Sequence, residues 1–93
     1  MRNHDTSLQD QSPLADAGDA LRKAQHAVSS LQSHPNHMGL QQAANALAHT
    51  EKAISAAQGD ENKPAVKELL MTCSETHDAF VEVAEYLSTN SES

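Results

Sequence analysis

The sequence contains little cysteine, few aromatic residues and no long apolar run, and these shortages exclude several classes of protein. Cys73 is the only cysteine among 93 residues, so no internal disulfide can form. No apolar stretch approaches the roughly 20 residues that a membrane-spanning helix needs. The segment from Met1 to Gln11 lacks the apolar centre of a secretory signal. We therefore expect a cytoplasmic chain that has no association with a membrane.

Sequence signatures of catalysis are also missing. The chain contains no glycine-rich phosphate loop, no nucleophile elbow and no H-E-x-x-H metal motif. His34 and His37 have H-x-x-H spacing, but a zinc site needs about four ligands and no second pair follows. Cys73 and His77 are one helical turn apart on what we interpret as a buried stripe, where both would be inert core residues. We expect no enzymatic activity, no metal and no cofactor.

Basic residues are absent from the last part of the chain. Residues 1–67 contain six bases and seven acids, whereas residues 68–93 contain six acids and no base. Almost all of the net charge of −7 therefore belongs to that last segment. Because nucleic-acid phosphates are bound by clustered Lys and Arg, direct binding of DNA or RNA is not expected. Charge asymmetry of this kind bears on the choice of partner rather than on the fold.

The spacing of apolar residues predicts two amphipathic helices in the first two thirds of the chain. Apolar residues recur at steps of three and four along segments that we place at about 13–33 and 37–58. Ser12 followed by Pro13 is a typical start for the first helix. Gly59 stands where a residue in the left-handed conformation commonly ends a helix, so we expect it to end the second.

A third helix is predicted at about 63–88, with Asn62 as its N-cap. Its predicted buried stripe consists of Val66, Leu70, Cys73, His77, Phe80, Ala84 and Leu87. Further apolar residues lie beside that stripe, namely Leu69, Met71, Val81 and Val83. This additional apolar surface leaves two alternatives open, a monomer or a homodimer formed through helix three.

Short connections between the three helices predict an all-α fold, an up-down-up antiparallel three-helix bundle over residues 12–89. Residues 1–11 are polar and aperiodic and are predicted to be a disordered tail, and residues 90–93 a frayed end. Fifteen alanines allow the helices to approach closely but bury little apolar area. We therefore expect a bundle of marginal stability.

A row of acidic residues follows one face of the predicted third helix. The members of this acidic row step by three and four: Glu68, Met71, Glu75, Asp78, Glu82 and Glu85. The row is about 25 Å long, and its like charges repel one another, which local helix stability does not favour. We interpret it, together with Tyr86, as a surface for a basic protein partner, with a merely solvated face as the alternative. Because nucleic acid also presents a line of negative charge, that partner could be a nucleic-acid-binding protein, and this chain its inhibitor, sequestrant or adaptor.

Residues 48–52 read Ala-His-Thr-Glu-Lys. This segment resembles the active helix of histidine phosphotransfer domains, in which an exposed histidine is followed three residues later by lysine. The resemblance implies phosphotransfer through His49. Ala53 stands where that family has glycine, Glu51 stands where it has leucine, and those domains generally have four core helices. A purely structural, oligomeric helical module is a further alternative.

Overall fold

The computed structural model describes residues 12–91, with side-chain burial given for residues 12–89. This part of the chain forms three α-helices and no strand: α1 is Pro13–Ser33, α2 is His37–Ala57 and α3 is Lys63–Ser91. Only short connections join the helices, so successive helices run antiparallel and form a three-helix bundle, as predicted. The tail predicted at residues 1–11 lies outside the described residues.

The first helix begins and ends at signals that the sequence carries. Ser12 is its N-cap, and the Ser12 hydroxyl accepts a 3.1 Å hydrogen bond from the backbone N–H of Ala15. This bond satisfies one of the backbone N–H groups that are unpaired at a helix start. Pro13 costs no hydrogen bond at the first helical position, because the N–H that proline lacks would have no partner within the helix there. The helix ends before His34, since the residue that precedes Pro35 is pushed out of helical angles.

Asparagine caps the start of each of the other two helices. The side-chain oxygen of Asn36 accepts a 2.6 Å hydrogen bond from the N–H of Gly39 at the start of α2. At the start of α3, the side-chain oxygen of Asn62 accepts a 3.2 Å bond from the N–H of Ala65, which confirms the predicted cap. A cap of this type contributes about 0.5–2 kcal/mol to helix stability.

The end of α2 differs from the prediction made for Gly59. No described glycine has a positive φ, so the expectation that Gly59 adopts the left-handed conformation is wrong. The helix instead tightens at its end, where the N–H of Gln58 donates to the carbonyl of Ser55 and the N–H of Asp60 to that of Ala57. These bonds to the third residue back satisfy terminal carbonyls without a left-handed residue.

The buried side of α1 and α2 follows the predicted steps of three and four, with Ala20 buried in addition and Leu14 and Leu40 only half-buried. The buried residues are Ala17, Ala20, Leu21, Ala24, Val28 and Leu31 on α1 and Ala43, Leu47, Thr50, Ile54 and Ala57 on α2. Because many of these side chains are alanine methyl groups, the two helices pack closely and share the most extensive interface of the bundle. Burial of the Thr50 hydroxyl leaves no unpaired hydrogen-bond donor, since this hydroxyl donates a 2.8 Å bond to the carbonyl of Ala46.

The predicted buried face of α3 is partly wrong. Its buried residues are Val66, Cys73, Thr76, Val83 and Leu87. Leu70 is 44% exposed and His77 is also exposed, although both were placed on the buried stripe. Leu69 and Val83, placed outside the stripe, pack in the core. The helix therefore turns a neighbouring face toward α1 and α2, and Thr76 can be buried because its hydroxyl donates a 2.8 Å bond to a backbone carbonyl one turn earlier.

The third helix is also longer than the others. It has 29 residues, whereas α1 and α2 have 21 each, so it is about 12 Å longer. It continues to Ser91 rather than ending near residue 88, since no proline or glycine follows Pro64 and Leu87 is anchored in the core. Within the described ranges, no helix combines the length and the apolar character needed to cross a lipid bilayer.

Candidate docking face on α3

The acidic row predicted from the sequence lies on the outer face of α3. All six of its members are exposed, namely Glu68, Met71, Glu75, Asp78, Glu82 and Glu85. Steps of three and four keep these side chains in one stripe, because each residue turns an α-helix by about 100°. The buried side chains of α3, such as Cys73, lie on the other side of the helix. Most of the row therefore faces solvent, while Glu75 and Glu82 border the edge along which α3 meets α1.

Within residues 12–89, no ion pair neutralises a carboxylate of the row. The salt bridge found in that range joins Arg22 to Asp19 on α1, over 2.6 Å. Lys63, at the start of α3, donates a 2.9 Å hydrogen bond to the backbone carbonyl of Gln58 rather than to an acid. Among the residues described, the carboxylates of the row thus have no paired cation, and neighbouring carboxylates repel one another along the helix.

The bases of α1 and α2 belong to a different surface. Arg22, Lys23 and His26 line an open groove of about 750 Å³ that α1, α2 and their connection form without α3. A second groove between the same two helices is lined by Lys23, His49 and Lys52. Acids such as Asp16 and Asp19 accompany these bases, so the charge there is mixed. The bases of α1 and α2, which together form a helical hairpin, thus lie apart from the acidic row of α3.

Two large exposed side chains, one a thioether and one a phenol, accompany the carboxylates of α3. Met71 lies within the row and Tyr86 beside it, and each is 56% exposed. Tyr86 also borders an open depression of about 410 Å³ where the end of α1 meets α3. That depression is lined by Gln32, Pro35, Glu82, Val83 and Tyr86. Sequence spacing identified Tyr86 and Glu82 but not the depression, because packing alone brings α1 and its following connection to this part of α3.

A third groove, between α2 and α3, contains the Cys73 and His77 pair. Burial raises the pKa of the Cys73 thiol above its ordinary value, and the negative charge of Glu51 raises this pKa further. A thiol held in its protonated form is a poor nucleophile. His77 is a surface residue rather than the expected core histidine, and its ring centroid lies 6.2 Å from that of Phe80. This arrangement does not favour nucleophilic chemistry.

The histidine that resembles a phosphoacceptor lies away from the row. His49 is exposed on α2, in the groove that also contains Lys23 and Lys52. His34 and His37, the H-x-x-H pair, are exposed around the connection between α1 and α2. Across residues 12–91, no three His, Cys, Asp or Glu side chains are grouped so that they could hold a metal ion.

Comparisons of the chain with protein-family models, with curated proteins and with solved structures gave no match. The candidate site is therefore defined by geometry alone. It is the outer face of α3, made of the acidic row and the neighbouring depression at Tyr86.

Proposed function

We propose that this protein is a small, non-enzymatic regulator that docks a basic protein partner through the acidic row of α3. It would act as an inhibitor, a sequestrant or an adaptor, in the cytoplasm, where a single cysteine stays reduced. The supporting observation is that five carboxylates are exposed along one helix face and that no basic side chain within residues 12–89 pairs with them. A helix that served only to complete the bundle would gain stability from mixed charges.

A protein that normally binds nucleic acid is the kind of partner that suits this face. Asp78 and Glu82 are about 6 Å apart along the helix axis, and Glu75 and Glu82 about 10 Å. One strand of DNA carries a phosphate about every 3.4 Å, so the row is sparser but has the same sign and a linear form. Lysine and arginine side chains placed for phosphates would meet carboxylates here. The partner would then be prevented from binding nucleic acid with the same surface.

Attraction between such faces depends strongly on salt. The Debye length is about 10 Å at 0.1 M salt, which is similar to the spacing of charges along the row. Added salt therefore screens the attraction over the distances at which it acts, and it slows the association of oppositely charged surfaces. We expect the affinity for the partner to fall steeply as the salt concentration rises.

Reversal of charge in the centre of the row tests the proposal. Immobilised protein captures proteins from a cell lysate at low salt, and the captured proteins are eluted with duplex DNA or with high salt. Changing Glu75, Asp78 and Glu82 together to Lys should reduce this capture by about tenfold or more, because attraction at three positions becomes repulsion. Circular dichroism should show unchanged helix content, since all three side chains are exposed.

A matched control changes net charge equally at other positions. Asp16, Glu51 and Glu61 are also exposed acids, and none of them belongs to α3. Changing these three to Lys should leave capture close to that of the unaltered protein. The proposal is wrong if both triple variants lose capture to the same extent, because net charge alone would then explain binding. It is also wrong if reversal within the row has no effect.

A further inference from the structure

The depression beside Tyr86 brings a carboxylate, an aromatic ring and a proline ring to one place. Glu82 and Tyr86 are one turn apart on α3, so their exposed side chains are neighbours on the helix surface. Pro35, in the connection after α1, and Gln32, near the end of α1, line the depression from the other side. Val83 is only 8% exposed and provides apolar surface at its base.

These groups suit a flat cation with an apolar stem. A carboxylate accepts two parallel hydrogen bonds from a guanidinium group, and an aromatic face attracts a cation placed over it. The rings of Tyr86 and Pro35 and the side chain of Val83 offer apolar contact to the methylene groups that precede the charge. We propose that this depression binds the side chain of an arginine of the basic partner, an inference that rests on the proposed function.

Arginine fits this arrangement better than lysine for two physical reasons. The guanidinium plane stacks on an aromatic ring and is weakly hydrated, whereas the ammonium of lysine is compact and strongly hydrated. The guanidinium also matches the geometry of the Glu82 carboxylate, while an ammonium interacts with it as a point charge. A cation–π contact at an exposed site contributes about 0.5–1 kcal/mol for either cation, or about two- to fivefold in affinity, so this is the upper size of the preference that stacking can give arginine.

The depression and the remaining carboxylates of the row then contribute differently to binding. Asp78 and Glu75, toward the start of α3, attract any base and do not distinguish lysine from arginine. The depression selects arginine at one position near the end of the row. Since that position is fixed relative to the carboxylates, it also sets the register in which a basic segment lies along α3.

Tyrosine fluorescence provides a direct measurement in the unaltered protein. Tyr86 is the only tyrosine and the chain has no tryptophan, so intrinsic fluorescence excited in the tyrosine band reports on this side chain alone. The probes are an unstructured peptide of arginines separated by serine and glycine, the same peptide with lysine, and the same peptide with uncharged citrulline. The arginine peptide should change the fluorescence and bind more tightly than the lysine peptide, by up to about fivefold. The citrulline peptide should not bind.

Variants at Tyr86 separate ring stacking from charge. Fluorescence anisotropy of labelled peptides replaces tyrosine emission in these proteins, and circular dichroism checks their folding. Tyr86→Leu should abolish the preference for arginine, lowering the affinity for the arginine peptide more than that for the lysine peptide, whereas Tyr86→Phe should retain the preference because the ring remains. Asp78→Asn, outside the depression, should weaken binding of both charged peptides equally.

Two results would overturn the inference, and they differ from failure of the proposed function. Equal affinity for arginine and lysine peptides, with both lost on reversal of the row, would leave the acidic face as a docking surface but remove the arginine site. A preference for arginine that persists in Tyr86→Leu would place the selective contact elsewhere. If neither charged peptide binds, both the arginine site and the docking face are wrong.

Discussion

The hairpin of α1 and α2 and the single helix α3 are built on different principles. In the hairpin, alanines such as Ala24 and Ala43 are completely buried and the two helices share the most extensive interface of the bundle. The third helix packs less extensively on each of them, although it is the longest. Acids and bases are mixed on the hairpin, whereas from residue 68 onward the chain has acids only.

This difference separates the region with the most extensive packing from the region with the exposed row of like charge. The hairpin thus contributes the largest share of the packing between helices, and its charges are mixed. The third helix completes the core with one face and carries on its exposed face a row of carboxylates with no cation paired to them within residues 12–89, and repulsion between them costs stability. A charged surface that lowers local helix stability is a candidate for a functional surface. Variants can test the contrast between the two regions.

The largest expected effect is in the packing of the hairpin. Leu47 on α2 is 3% exposed, so Leu47→Ala should lower the free energy of unfolding by about 2–5 kcal/mol through lost burial and a residual cavity. The matched change in α3 is Leu87→Ala, since Leu87 is 8% exposed, and it should cost less than Leu47→Ala because α3 packs less extensively on its neighbours. Urea unfolding followed by circular dichroism measures both. Equal costs would contradict the view that the hairpin contributes the largest share of the packing.

A smaller effect, of opposite sign, is expected in the acidic row. Glu82 has Asp78 and Glu85 as like-charged neighbours four and three residues away, so Glu82→Gln should stabilise the protein by about 0.4–1 kcal/mol. Asp16 is in the first turn of α1, where a negative charge is favourable, and Asp16→Asn should lower stability by about 0.3–1 kcal/mol. Thermal unfolding at low salt should show both changes, and high salt should reduce them. Destabilisation by Glu82→Gln would show that the row does not strain α3.

The smallest expected effect is on the titration of Cys73, which lies where α3 meets the hairpin. Burial raises the pKa of the Cys73 thiol, and the negative charge of Glu51 raises it further. The folded state thus favours the protonated thiol, so this contribution to stability is complete below the ordinary thiol pKa and is lost as pH rises through the raised one. Cys73 should react with iodoacetamide more slowly in the folded than in the unfolded protein at about pH 8. Glu51→Gln should shift the reaction to lower pH. Identical pH profiles for folded and unfolded protein would show that neither burial nor Glu51 raises the pKa of this thiol.

Sequence spacing predicted the hairpin well because each of its helices offers one apolar stripe. In α3, Leu69 and Leu70 are adjacent, as are Val83 and Ala84, so two neighbouring faces carry similar apolar content. The choice between these two faces depends on which of them meets α1 and α2. The spacing of residues within one helix carries no information about that contact. Packing selected the face with Thr76, whose hydroxyl is satisfied within its own helix.

The candidate site was predictable to a similar extent. The exposure of the row was predictable, because its residues lie outside both the predicted and the observed buried face of α3. Either face would leave the row in solvent. The depression at Tyr86 was not predictable, because its walls come from Gln32 and Pro35, far away in the sequence. Pro35 was informative only as a signal that ends α1.

Because every member of the row belongs to one helix and is exposed, the charges of the row can be transferred with that helix alone. A stabilised peptide of residues 63–91 would carry every carboxylate of the row and Tyr86. It would lack the proline and glutamine that close the depression but would keep Glu82 and Tyr86, the two groups on which the proposed preference for arginine depends. A preference that survives in this peptide would mean that α1 and its connection only add apolar walls to a site that α3 already carries.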